Sequence, residues 1–132
     1  MIFVDTSAWA ALFIPNDPRH EAARFWHEQN QEQLVTTDYV VDELLTLLKA
    51  RFSIQAAIRA GHFLWSGRSC TLSYLNLQDI EKAWKIFRSH RDKGWSFTDC
   101  TSFALMQRLR LSSAFAFDKH FSQMHGIRRV PV

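Results

Sequence analysis

The sequence predicts an α/β fold: a mostly parallel central sheet of four to five short strands flanked by helices on both faces, in one domain spanning residues 1–132. Three observations point there. Short unbroken apolar runs, the pattern of strands buried on both sides, alternate with stretches whose apolar residues recur every 3.6 positions. Helix-capping residues stand between many of these segments, which is the order expected of strand–helix–strand units. With 132 residues, 47% of them hydrophobic, and no low-complexity tract, the chain can bury one core without staples.

Met1 to Val4 is the first strand, and Asp5 closes it. Thr6 or Ser7 caps a helix that runs to Phe13 and is stopped by Pro15. Asp17-Pro18 reads as an N-cap followed by a proline at the first helical position, opening a second helix to about Gln31 with Ala22, Ala23, Phe25 and Trp26 on its buried side. Leu34 to Thr36 is the second strand. Thr37-Asp38 then opens a third helix whose apolar stripe is Val40, Val41, Leu44, Leu47 and Leu48. At about 100° per residue, Asp42 points away from the core while Glu43 sits beside Leu47 on the edge of the stripe.

Ser53 and Gln55-Ala56 open a fourth helix through Trp65, with Gly67 just beyond it. Cys70 to Leu75 is the third strand. Asn76 or Gln78 begins a fifth helix with Ala83, Trp84, Ile86 and Phe87 on its core side, ended by Lys93-Gly94. Ser96 or Thr98 caps a sixth helix bearing Phe103, Ala104 and Met106 to Leu109. Ala114 to Phe117 is the fourth strand, closed by Asp118. Lys119-His120-Phe121 is a turn, and Arg129 to Val132 is a last, edge strand.

Charge divides unevenly along the chain. Residues 1–43 hold eight acids against Arg19 and Arg24, whereas residues 44–132 hold fourteen Lys and Arg against five acids. If the acids that cluster are neutralised by cations, a basic surface surrounds an acidic pocket, which suits a ligand with a phosphate backbone. Cys70 and Cys100 are too few and too far apart for a metal knuckle or a disulfide framework, and a reduced compartment is the simplest setting. The N-terminal apolar run stops at Asp5, too short for a signal peptide or a membrane span. A soluble, cytoplasmic protein with no membrane partner is expected.

Asp5 and Asp118, each closing a strand, converge at the edge of the sheet where open α/β folds bind ligands. Asp99, in the first turn of the sixth helix, and Glu43 are the acids best able to join them. Clustered like charges are costly unless a cation neutralises them, and oxygen ligands without a Cys or paired His favour Mg²⁺ or Mn²⁺ over zinc. Two such ions roughly 4 Å apart stabilise both the attacking and the leaving oxygens of an in-line phosphoryl displacement. Each acid also has an ordinary use: Ser96-x-x-Asp99 is a capping-box spacing, Asp5 and Asp118 are turn residues, and Glu43 is a solvated helix residue. Only the set of four points to a metal site. No nucleophile elbow marks a Ser-His-Asp hydrolase.

Val4-Asp5-Thr6-Ser7, Glu43, Phe97-Thr98-Asp99-Cys100 and Ala116-Phe117-Asp118-Lys119-His120-Phe121, in this order and spacing over essentially the whole chain, resemble the signature of PIN-domain ribonucleases, especially the VapC-like toxins of type II toxin–antitoxin systems. The resemblance implies a PIN-like fold and a Mg²⁺- or Mn²⁺-dependent endoribonuclease that hydrolyses single-stranded or structured RNA with one or two ions. It also implies a homodimer and inhibition by a cognate antitoxin protein. Asp5, Glu43, Asp99 and Asp118 match the catalytic, metal-ligating quartet, and Ser7 and Thr98 match supporting hydroxyls. His120 stands where many relatives offer another acid, so one ion or two are both open. Two alternatives share these residues: a non-toxin PIN nuclease of RNA processing, and a catalytically weak RNA- or protein-binding module.

Most of the 11 Phe are assigned to the core. Trp9, Trp65 and Trp95 belong to the core or to a dimer or antitoxin interface, with Trp95 the candidate for stacking an unpaired base beside Asp99. Arg51, Arg59, Arg68, Arg108 and Arg110 are solvated helix surface or RNA contacts. His120 reads as a loop residue, with an RNA phosphate contact as its alternative.

Overall fold

β1 (Ile2–Val4) lies at the centre of one all-parallel sheet in the computed structural model, which describes residues 1–132. β2 (Leu34–Thr37) and then β3 (Thr71–Ser73) flank it on one side, β4 (Ser113–Phe115) and then β5 (Arg128–Val130) on the other. Phe3 stands opposite Val35 across one edge of β1 and opposite Ala114 across the other. Parallel neighbours need crossovers, and seven helices supply them: α1 (Thr6–Phe13), α2 (His20–Gln29), α3 (Asp38–Arg51), α4 (Ile54–Trp65), α5 (Leu77–Ser89), α6 (Phe97–Arg108) and α7 (His120–Gln123). No helix is long and apolar enough to cross a membrane.

Ile2, Phe3 and Val4 are all buried, as the apolar run required. Phe3, Trp9, Phe103, Phe115 and Phe121 are the bulkiest aromatics of the core, and Phe103 meets Phe121 edge-on with centroids 5.1 Å apart. Trp9 donates its indole N–H to Thr36 Oγ1 at 3.4 Å, and Thr36 donates to the Val4 carbonyl at 3.0 Å. This pair of bonds satisfies buried polar groups and fixes α1 over the ends of β1 and β2.

Local chemistry sets most helix starts. Thr37, Ser53, Asn76 and Ser96 are the N-caps of α3, α4, α5 and α6, each accepting from a backbone N–H three residues on. Gly67, just after α4, takes φ +68, a left-handed conformation that costs glycine little. α1 differs from expectation, since its N-cap is Asp5 itself and not Thr6 or Ser7. α2 also begins later: Asp17 folds back to accept from Arg19 N at 2.8 Å, and the helix starts at His20 behind a cap with no side-chain bond.

The expected buried face of α2 is largely overturned. Ala23 alone is buried, Phe25 is 67% exposed, and Trp26 is half-buried against Phe115 with centroids 4.2 Å apart. Trp84 and Phe87 on α5 are exposed as well, because its buried stripe is Asp79, Ala83 and Ile86. Asp79 replaces the expected aromatics there: Arg108 of α6 donates to both its oxygens, at 2.8 and 2.9 Å, which lets a carboxylate face the helix pair. α5 ends at Ser89, before Lys93-Gly94; β3 and β4 are shorter than expected, β5 starts one residue earlier, and the turn after Asp118 leads into α7.

Candidate active site

The first acid is held by the turn from β1 into α1. Asp5 is 3% exposed, and its Oδ2 accepts from Ser7 N at 3.1 Å and from Ser7 Oγ at 2.7 Å. The same Ser7 hydroxyl accepts from Phe117 N at 2.9 Å and from Asp118 N at 3.2 Å. One proton given and two received saturate the hydroxyl. Ser7 therefore clamps the end of β1 to the segment beyond β4. Asp118 lies three residues past β4, in the connection to α7, and its Oδ1 accepts from His120 N at 2.9 Å.

Asp99 combines two jobs that the sequence set against each other. It completes the capping box of α6, with Asp99 N donating to Ser96 Oγ and Ser96 N donating to Asp99 Oδ2, both at 3.0 Å. Its Oδ2 also lies 2.9 Å from His120 Nδ1, which is 3.1 Å from Asp118 Oδ1. The Nδ1 edge of the imidazole thus faces both carboxylates. The ligand atoms of Asp99, Asp118 and His120 all lie within 4.8 Å of one another.

Glu43 is half-buried on α3 while Asp42 is exposed, as helix geometry predicted. It lines a cavity of about 500 Å³ with Thr46, Leu47, Arg51 and Thr98. Thr98 reaches that cavity and makes no side-chain hydrogen bond to Asp99; the hydroxyl that fixes the start of α6 is that of Ser96.

Electrostatics join the four acids. Burial is the main cause that raises Asp5 from 3.8 to about 7; the two Ser7 hydrogen bonds oppose it, and the charges of Asp99 and Glu43 add to it. Asp99 is also raised, first by burial and then by the charge of Asp118, against the Ser96 N–H and His120. Carboxylates that raise one another in this way form a donor set for a hard divalent cation, which would relieve the repulsion. Asp99 and Asp118 are the acids whose ligand atoms the structure brings together to hold it, while Asp5 is joined to them through Ser7 and Glu43 acts on Asp5 through its charge. His120 adds a nitrogen, a ligand type Mn²⁺ accepts more readily than Mg²⁺ does.

His120 is the residue that sequence reasoning missed. A signal was present, because Asp118 with His120 two residues on is the spacing of an Asx turn that folds the following side chain back over the carboxylate. Trp95 also departs from expectation: it is buried, packs on Phe103 and donates to Gln123 Oε1 at 2.9 Å, so it offers no face to a base. Trp9 is likewise core, whereas Trp65 is exposed. Arg108 is spoken for by Asp79.

Residues 2–127 match the PIN domain family. The 23S rRNA-specific endonuclease VapC20 of Mycobacterium tuberculosis is 36% identical over 122 residues, spanning 92% of this chain and 92% of that protein. Ribonuclease VapC26 of the same species is 28% identical over 127 residues, 96% of this chain and 93% of that one. The crystal structure of VapC20, described as a Sarcin-Ricin loop cleaving toxin, superposes with a TM-score of 0.89 at 34% identity over 93% of this chain and 94% of its own. A toxin–antitoxin complex from Klebsiella pneumoniae shares the fold, with a TM-score of 0.70 at 14% identity over 97% and 96%.

Proposed function

The chain belongs to the PIN-domain family, and from that premise we propose that it is a Mg²⁺- or Mn²⁺-dependent endoribonuclease acting as the toxin of a toxin–antitoxin pair. One observation carries this reading. Asp99, Asp118 and His120 bring ligand atoms within 4.8 Å of one another, and Ser7 ties Asp5, whose carboxyl feels the charges of Asp99 and Glu43, to the Asp118 backbone beside them. When bound, a divalent ion supplies positive charge that offsets the charge developing on the scissile phosphate.

The chain's own residues do the rest. Ser7 holds the Asp5 carboxylate through two hydrogen bonds and sets it against the Phe117-Asp118 backbone. His120 spans Asp99 and Asp118 and keeps the two carboxylates side by side. Glu43, half-exposed on α3, shares a cavity with Thr98, the residue before Asp99, and its charge acts on Asp5.

A cognate antitoxin and a second copy of the chain are its protein partners. An apolar groove of about 710 Å³ between α3 and α4, lined by Leu45, Ile54, Ile58 and Trp65 and edged by Lys49 and Arg68, supports binding of a protein segment. The protein works in the cytoplasm, where RNA is at hand and where its buried free thiols, Cys70 and Cys100, stay reduced. VapC20 is named for 23S rRNA, so the large ribosomal RNA is the first substrate to offer.

Mapping the ends of total cellular RNA after induction tests the proposal. New ends at defined sites are expected with the wild type and not with Asp99→Asn. The same ends from both proteins, or none from the wild type, would contradict it.

A further inference from the structure

α5 turns an unexplained face to solvent. Trp84 and Phe87 stand 54% and 39% exposed, with rings 6.0 Å apart and 25° from parallel. Lys82, Lys85, Arg88 and Arg91 around them are all exposed, and none forms an ion pair. Trp84, Phe87, Arg88 and Arg91 line a groove of about 560 Å³ that reaches Gly94. A Cβ at Gly94 would stand 3.4 Å from His120 Nε2, so the far end of the groove abuts the imidazole that spans Asp99 and Asp118. Phe87 also meets Phe97, two residues before Asp99, edge-on at 5.8 Å. Aromatic faces and unpaired cations thus share the exposed side of α5: Lys82 and Lys85 line an adjoining pocket that also contains Trp84 and Arg88, and the groove from Trp84 through Arg91 reaches the edge of the acid cluster.

We propose that this face of α5 is the docking track for the RNA: an unpaired base stacks on the Trp84–Phe87 pair, and the phosphates that follow lie along Lys85, Arg88 and Arg91. The inference rests on the nuclease reading and adds to it the state of the substrate, which must be unpaired at the docked base. Aromatic side chains stack any free base face, whereas bases inside a duplex are already covered by their neighbours. Charge selects the occupant. Glu81 is the one acid on the exposed face of α5, and a two-fold partner seated there would set these unpaired cations against their own images. A polyanion meets no such opposition.

The test uses the full chain, a fluorescein-labelled single-stranded RNA oligonucleotide of about 12 nucleotides and the same strand annealed to its complement. Trp84→Ala is expected to weaken single-strand binding roughly tenfold, within the span measured for loss of one stacked base, and to raise KM rather than lower kcat. Lys85→Gln with Arg88→Gln is expected to lower the slope of log affinity on log salt by about 1.4, ~0.7 for each phosphate that is no longer neutralised. The duplex is expected to bind the wild type and Trp84→Ala alike. Sedimentation run alongside separates the other occupant: if Trp84→Ala dissociates a dimer and RNA affinity falls only with that dissociation, the face is an interface between copies and the inference is wrong. Unchanged single-strand affinity, salt slope and KM in a protein that still cuts RNA would overturn it while leaving the nuclease reading in place. A wild type that cuts no RNA in Mg²⁺ or Mn²⁺ would overturn both.

Discussion

Ser7 Oγ accepts the backbone N–H of Asp118 at 3.2 Å, bridging 111 residues of chain while its own proton goes to Asp5. Ser7→Ala removes all of this at once. It leaves the N–H groups of Phe117 and Asp118 without their partner and takes from the Asp5 carboxylate the shorter of its two hydrogen bonds, the backbone N–H of residue 7 remaining. A loss of about 1–3 kcal/mol in stability is expected, together with a fall in kcat larger than any rise in KM. Urea unfolding and steady-state kinetics read the two effects; an unchanged kcat would show that the clamp is only structural.

His120 touches both Asp99 and Asp118. Groups that orient metal ligands in this way cost roughly 10- to 100-fold in metal affinity or activity when removed. His120→Ala is therefore expected to lower Mn²⁺ affinity or cleavage by at least tenfold with the fold retained, since the side chain is partly exposed. Calorimetric titration with Mn²⁺, beside a circular dichroism spectrum, checks this. Wild-type affinity and rate in the variant would reduce His120 to a packing residue.

Much of this was legible in local pattern. A buried apolar run ended by Asp5, cap residues at Thr37, Ser53, Asn76 and Ser96, and the angular offset between Asp42 and Glu43 are properties of a few neighbouring residues, and these features hold in the fold. What escaped depends on which surfaces meet. Periodicity marks Trp84 and Phe87 as apolar on α5 but does not say that an Asp79–Arg108 pair takes the side facing α6. The reach of His120 to Asp99 likewise follows from how α6 docks beside the β4–α7 connection, a relation between segments 21 residues apart.

Asp5 gives a pH dependence in the metal-free protein. Its folded value, raised to about 7 chiefly by burial, exceeds the ordinary carboxyl value of 3.8. The native state therefore holds the proton more tightly than the unfolded chain. The resulting stability is fully present below about pH 4 and is lost as pH rises through 7. At pH 8 the ionised, buried Asp5 costs on the order of a few kcal/mol. Asp5→Asn is expected to raise the Tm of the metal-free protein by several degrees at pH 8 and by less at pH 5. An equal effect at both values would contradict the assignment.

Arg108 supports the fold without serving the site. Burial raises Asp79, but the Arg108 hydrogen bonds, the Asn76 backbone N–H and the Arg108 charge together bring it below 3.8. This stability is present above that value and is lost as pH falls through the lowered one. Arg108→Ala strands a buried carboxylate and is expected to cost about 2 kcal/mol at pH 7, the partial exposure of Arg108 moderating the loss. Cleavage per folded molecule should be unchanged. Chemical denaturation at pH 7, with activity normalised to the folded fraction, separates the two.

Everything proposed for the site depends on the Asp5, Glu43, Asp99 and Asp118 cluster cutting RNA through a divalent cation. The rate at which the purified chain cleaves 23S rRNA in Mn²⁺, in excess EDTA, and after Mn²⁺ is restored tests this most directly, with Asp99→Asn run in parallel. Cleavage is expected in Mn²⁺, is expected to vanish in EDTA and return with restored Mn²⁺, and is expected to be absent from Asp99→Asn under every condition. Undiminished cleavage in EDTA, or by Asp99→Asn, would contradict it.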